Sequence, residues 1–127
     1  MATLSRGDHY HEWASLQWHD IEPPFLTAES VISEAGFLLN QVPGATRAVL
    51  ELLHRGVIAI PFRMQDHSQP LKTLIEKYSD IPMSVADACI VRMAELIDES
   101  TVLTLDSDFH LYRKHGRKII PLIIPEE

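Results

Sequence analysis

The sequence predicts an α/β domain, a mainly parallel sheet flanked by helices in three layers. Two observations carry that expectation. Segments of helical periodicity alternate with short apolar runs, "VIAIPF", "TVLTL" and "KIIPLIIP". Those runs are apolar continuously rather than at every second residue, as in strands buried on both faces. At 127 residues the chain is read as one domain, 1–127, long enough to bury a real core.

The elements follow in order. "GDHYHEWASLQWHDI" has helical character, with Tyr10, Trp13, Ala14 and Leu16 to Trp18 as an apolar stripe. "PPFLT", Pro23 to Thr27, ends that helix and supplies a very short strand. Thr27 is placed to N-cap the next helix, "AESVISEAGFLLNQV", where Val31, Ile32, Ala35, Leu38 and Leu39 recur at helical spacing. "PGATRAVLELLHRG" predicts another helix, with Pro43 near its start, Val49, Leu50, Leu52 and Leu53 apolar, and Gly56 as the stop. "VIAIPF" reads as a strand. "SQPLKTLIEKYSD" is a helix with Leu71, Leu74, Ile75 and Tyr78 on one side. "SVADACIVRMAEL" is a helix apolar almost all the way round. Then come the strand "TVLTL", a helical turn through "SDFHLYRKHG" and a closing strand, "KIIPLIIP". No internal repeat, low-complexity tract or linker interrupts them.

Composition narrows the class. Hydrophobic content of 46% and charged content of 23% are those of an ordinary globular domain, not of a disordered chain. No apolar run is long enough to span a bilayer, and "MATLSRGDHYHEWA" is not a secretory signal, so no membrane role and a cytoplasmic location are expected. Cys89 is the only cysteine. That excludes a disulfide framework and a cysteine metal cluster, and it reads as a reduced core thiol. The net charge of −7 argues against gripping nucleic acid by bulk electrostatics. Positive charge nevertheless clusters in "RKHGRK", Arg113 to Lys118, so the field is uneven.

The carboxylates form the clearest chemical pattern. Ser84 and Asp87 stand in an S-x-x-D relation, which suits a capping box and the positive end of a helix dipole. Glu34 falls on or beside an apolar stripe, where an unpaired charge is costly, although a stripe-edge residue can reach water. Glu29 reads as a solvated first-turn acid. Asp106 and Asp108 follow "TVLTL" directly and suit a turn. In parallel sheets functional groups also gather past the carboxyl ends of strands. Taken together, Glu34, Asp87 and Asp106 at three element ends, with Asp108 beside them, would repel one another unless a hard cation such as Mg²⁺ or Mn²⁺ sat among them. Other signals are weaker. His9 and His11 do not share a helical face, and the remaining histidines show no metal-ligand spacing. No glycine-rich phosphate loop or nucleophile elbow occurs, Cys89 has no evident base, and Trp13 and Trp18 suit core packing.

With these residues in this order the chain resembles a PIN domain, the nuclease fold of VapC-type toxins. "FLTAESVISEAGFLL" resembles the family's strand and acid-bearing helix, "IPMSVADACIVRMAEL" its S-x-x-D-A helix, "TVLTLDSDF" its strand with a terminal acid, and "KIIPLIIP" its closing strand. The resemblance covers nearly the whole chain. It implies that Glu34, Asp87 and Asp106 are catalytic acids holding Mg²⁺ or Mn²⁺, with Asp108 as a helper, that RNA is the substrate, and that an antitoxin is a partner. The chemistry implied is metal-assisted phosphodiester hydrolysis without a protein nucleophile. The family opens with an apolar strand ending in Asp. Here "MATLSRGDHYHEWA" resembles the region after that unit, and Asp8 stands in a helix-start context, so the first acid is not assigned to it. The expectation is a domain N-terminally truncated relative to the family.

Two rivals differ in class. A non-catalytic PIN-like scaffold or binding module accommodates the missing first acid. A phosphoacceptor receiver domain would need an early acidic pair and a late lysine at a strand end, and neither occurs. A sheet short of its central strand would expose strand edges, so a homo-oligomer is expected. Light scattering should give the mass of at least two chains; a clean monomer counts against that expectation.

Overall fold

The computed structural model describes residues 21–104 and 106–124. The expected first helix, apart from Ile21, and the Trp13 and Trp18 pair lie outside the described residues. The chain divides into two compact units, one running to Pro61 and the other beginning at Phe62.

The first unit holds β1 (Phe25–Leu26), α1 (Glu29–Leu38), α2 (Ala45–His54) and β2 (Ile58–Ala59). β1 and β2 pair in parallel, Phe25 opposite Ile58 and Leu26 opposite Ala59, so the two helices form the crossover. Ala35, Leu39 and Ala45 are buried together, with Val42 packed against them. Two expectations need correction here. The N-cap of α1 is Ala28, with no side-chain cap, rather than Thr27. The Thr27 amide is committed to the ladder, donating to the Ala59 carbonyl at 3.0 Å, so extended backbone runs one residue farther than the capping signal suggested. The helix also stops short of Val42. Asn40 N–H bonds the Phe37 carbonyl and Val42 N–H the Leu39 carbonyl, a tightening that leads into Pro43, before which helical backbone is disfavoured.

The second unit begins with a 3₁₀ turn (Met64–His67). It continues with α3 (Ser68–Lys77), α4 (Val85–Leu96), β3 (Val102–Leu103), a second 3₁₀ turn (Ser107–His110), β4 (Arg113–Lys114), β5 (Lys118–Ile119) and β6 (Leu122–Ile123). α4 buries Ala86, Ala88, Cys89, Val91, Met93 and Ala94, which accounts for its nearly all-round apolar sequence. Cys89 is a free, buried thiol. Against these lie Leu71, Leu74 and an aromatic cluster in which Tyr112 meets Tyr78 and Phe109 edge-on, each at 5.1 Å. β3 and β6 pair in parallel, Val102 opposite Leu122 and Leu103 opposite Ile123.

The segment "KIIPLIIP" is not one strand. Its first part, β5, pairs antiparallel with β4, and only its second part, β6, joins β3. Pro121 lies between them; it has no N–H to donate, and its carbonyl accepts from Val102 N–H at 2.9 Å. The helical turn expected through "SDFHLYRKHG" is likewise confined to Ser107–His110, and its tail forms β4. Among the described residues the fold is therefore a mixture of helix and strand with small parallel ladders. No helix among them is long and apolar enough to cross a membrane.

Gly56 closes α2 at φ 77°, a conformation that strains any side chain although nothing crowds its Cβ position. Gly36 lies inside α1, also with open space around it. Gly56→Ala should lower stability by about 1 kcal/mol. Gly36→Ala should raise it by roughly 0.5–1 kcal/mol. Urea denaturation midpoints moving in opposite directions would bear this out, and a common direction would refute it.

Candidate functional site

The start of α4 is built by its own sequence. Ser84 is the N-cap, its hydroxyl accepting from Asp87 N–H at 3.0 Å, while Ser84 N–H donates to Asp87 Oδ2 at 3.3 Å. This capping box satisfies two orphan donors and anchors the acid at the positive end of the helix. The exit from β3 is built similarly. Thr104 Oγ1 accepts from Asp106 N–H at 3.0 Å, and Asp106 Oδ1 accepts from Asp108 N–H at 2.9 Å, capping the 3₁₀ turn. Both structural roles that the sequence suggested for these acids are present.

The turn carries Phe109 and Tyr112 into the core, and Tyr112 ties the two acidic ends together. It is fully buried, and its hydroxyl donates to Asp87 Oδ2 at 3.3 Å. The phenol is held well above its usual pKa, by burial first and then by the negative charges of Asp87, Asp108 and Asp106. The Asp87 carboxyl is also raised. Burial is the main cause and the charge of Asp106 adds to it, against hydrogen bonds from Ser84 and Tyr112 that favour the ionised form. Asp87, Asp106 and Asp108 thus share one electrostatic neighbourhood around a single buried hydroxyl.

Glu34 belongs to the first unit, where it is exposed on α1. Leu38, four residues on, is 68% exposed, so the end of the stripe beside Glu34 faces solvent and the charge carries no burial cost. Tyr112 escaped the sequence reading. Its spacing of three from Phe109 marks it at most as a core residue, and nothing nearby in sequence names the partner its buried hydroxyl needs.

Among the described residues, no group of three or more His, Cys, Asp or Glu side chains is arranged to hold a metal ion. The donors present are hard carboxylates. Both side-chain hydrogen bonds to Asp87 fall on Oδ2 and the one to Asp106 on Oδ1; among the described residues none reaches the other oxygen of either. Such a pair suits Mg²⁺, which keeps several waters and takes one or two carboxylates, and does not suit an all-protein cage.

No protein-family model matches the chain, and no curated protein matches it.

Because Asp87 holds its proton to higher pH when folded than when unfolded, it contributes stability at low pH that is lost as pH rises through the raised pKa. Asp87→Asn keeps an acceptor for the cap and removes the titration. As pH rises from about 4, the ordinary value of the unfolded carboxyl, its stability relative to wild type should therefore climb. Parallel stability curves from urea melts would sink this assignment. Tyr112→Phe keeps the ring packing and loses one hydrogen bond, so it should cost about 1 kcal/mol in the same assay.

Proposed function

We propose that the chain is a PIN-like domain of the metal-dependent ribonuclease lineage, hydrolysing RNA phosphodiesters as VapC-type toxins do. The observation that carries the reading is the meeting of two acidic element ends. One carboxylate stands at a helix start and another just past a parallel strand, both around the Tyr112 hydroxyl. Asp87 and Asp106 would hold Mg²⁺ or Mn²⁺, with Asp108 beside them. The place of Glu34 as a further catalytic acid rests on the resemblance alone, as does an antitoxin partner. When bound, the cation would activate water and stabilise charge on the phosphate and leaving oxygen. The chain's own part is positional. Ser84 N–H and the Tyr112 hydroxyl hold Asp87 by Oδ2, which leaves Oδ1 without a hydrogen-bond partner among the described residues. The Asp108 amide holds Asp106 by Oδ1 in the same manner.

A second reading, a non-catalytic PIN-like scaffold or binding module, is favoured by a different observation. The capping box and the turn bond give Asp87 and Asp106 complete structural roles without any ligand.

One experiment separates the two. Under the nuclease reading, Mg²⁺ or Mn²⁺ raises the melting temperature, because a ligand of the folded state stabilises it by mass action. A labelled RNA should be cleaved only with the metal present. Asp106→Asn, which retains an acceptor for the Asp108 amide, should cut metal affinity and cleavage by on the order of a hundredfold. Wild-type protein that shows neither a thermal shift nor cleavage supports the module instead.

A further inference from the structure

We propose that the β4–β5 hairpin is the surface that grips the phosphate backbone of single-stranded RNA; the choice of RNA rests on the reading above. In a chain of net charge −7, the stretch from Arg113 to Lys118 holds Arg113, Lys114, Arg117 and Lys118 and no acid. The ladder sets Lys114 directly opposite Lys118. Like charges so placed destabilise a ribbon. The ion pairs among the described residues belong to Arg55, Arg63 and Arg92, so no carboxylate there neutralises the hairpin cations. Glu95, which touches the turn, is committed to Arg92 and to the His115 amide.

The hairpin is held rigidly despite that repulsion. Its turn has positive φ at both His115 (51°) and Gly116 (83°). From α3, Lys77 Nζ donates to the Gly116 carbonyl at 2.6 Å, and from α4, Glu95 accepts from His115 N–H at 2.7 Å. Arg113 turns inward, its guanidinium donating to the His110 and Tyr112 carbonyls. That leaves Arg117 and Lys118, both exposed, and half-buried Lys114 as the hairpin cations without a carboxylate partner among the described residues. The ribbon begins one residue after Tyr112, the side chain around which the carboxylates gather. A phosphodiester chain uses both features, cations along its backbone and a carboxylate-held metal at the bond to be cut. An acidic peptide would use only the first.

The test is binding of a short, unstructured, fluorescently labelled oligoadenylate, measured by anisotropy in EDTA over a series of salt concentrations. Arg117→Ala/Lys118→Ala should bind several-fold more weakly. Its plot of log affinity against log salt should be shallower by about 1.4, for two phosphate contacts at about 0.7 each. Arg117→Gln/Lys118→Gln should reproduce the loss, with melting temperatures not lowered in either, since each removes the Lys114–Lys118 repulsion. Arg47→Ala, an exposed cation on α2, should leave the slope as in wild type. Wild-type protein that binds no oligoadenylate overturns the RNA reading and this proposal together. Binding that survives both double substitutions, or that Arg47→Ala weakens equally, overturns the hairpin alone. Unchanged binding with new self-association would assign the lysines to guarding a strand edge.

Discussion

A phenol that leaves water must find an acceptor, and the second unit is organised around that requirement. Tyr112 is fully buried, and its hydroxyl donates to Asp87 across 25 positions of sequence. Its ring meets Tyr78 and Phe109 edge-on, and the Tyr78 hydroxyl in turn accepts from Arg113 N–H at 2.8 Å. One aromatic cluster thereby fixes the start of α4, the turn after β3 and the first residue of β4. An unpaired buried hydroxyl costs about 1–3 kcal/mol, so the arrangement resists sliding.

The same bond sets the electrostatics. Drawing Tyr112 toward Asp87 brings it near Asp106 and Asp108, and all three charges oppose ionisation of the phenol. The hydroxyl stays a donor, which keeps its bond to Asp87 intact. Negative charge gathers near the Tyr112 hydroxyl in the fold, while positive charge follows it in the chain from Arg113 onward. A negative total therefore conceals two local fields of opposite sign, and net charge alone is a poor guide to what such a surface can meet.

Helix positions were legible because each depends on apolar spacing over about ten residues, and a local rule suffices. The capping box at Ser84 and Asp87 was legible for the same reason, since its two partners lie three apart. Strand partners were not, because the pairing of Val102 with Leu122 is a long-range choice. "KIIPLIIP" looked continuous since all its residues but the lysine and prolines are apolar. Its division follows from Pro121 and from the turn at His115 and Gly116, which folds β5 back on β4. Asp87, Asp106 and Asp108 could be nominated by type and placement, but Tyr112, which joins them, could not. Its role lies in a contact between distant segments, and a tyrosine in "DFHLYR" carries no local mark of its partner.

A carboxylate has two oxygens, and that lets a structural and a chemical role coexist at one residue. Asp87 uses Oδ2 for the cap and for Tyr112, and Asp106 uses Oδ1 for the turn. Each bond restricts rotation of the group. A flexible surface acid would lose side-chain entropy on taking a cation, whereas these two are ordered beforehand by folding. Capping and turn formation therefore engage only one oxygen of each carboxylate among the described residues. They are the means by which the second unit holds two like charges in ordered positions, near enough that the charge of Asp106 helps raise the Asp87 pKa.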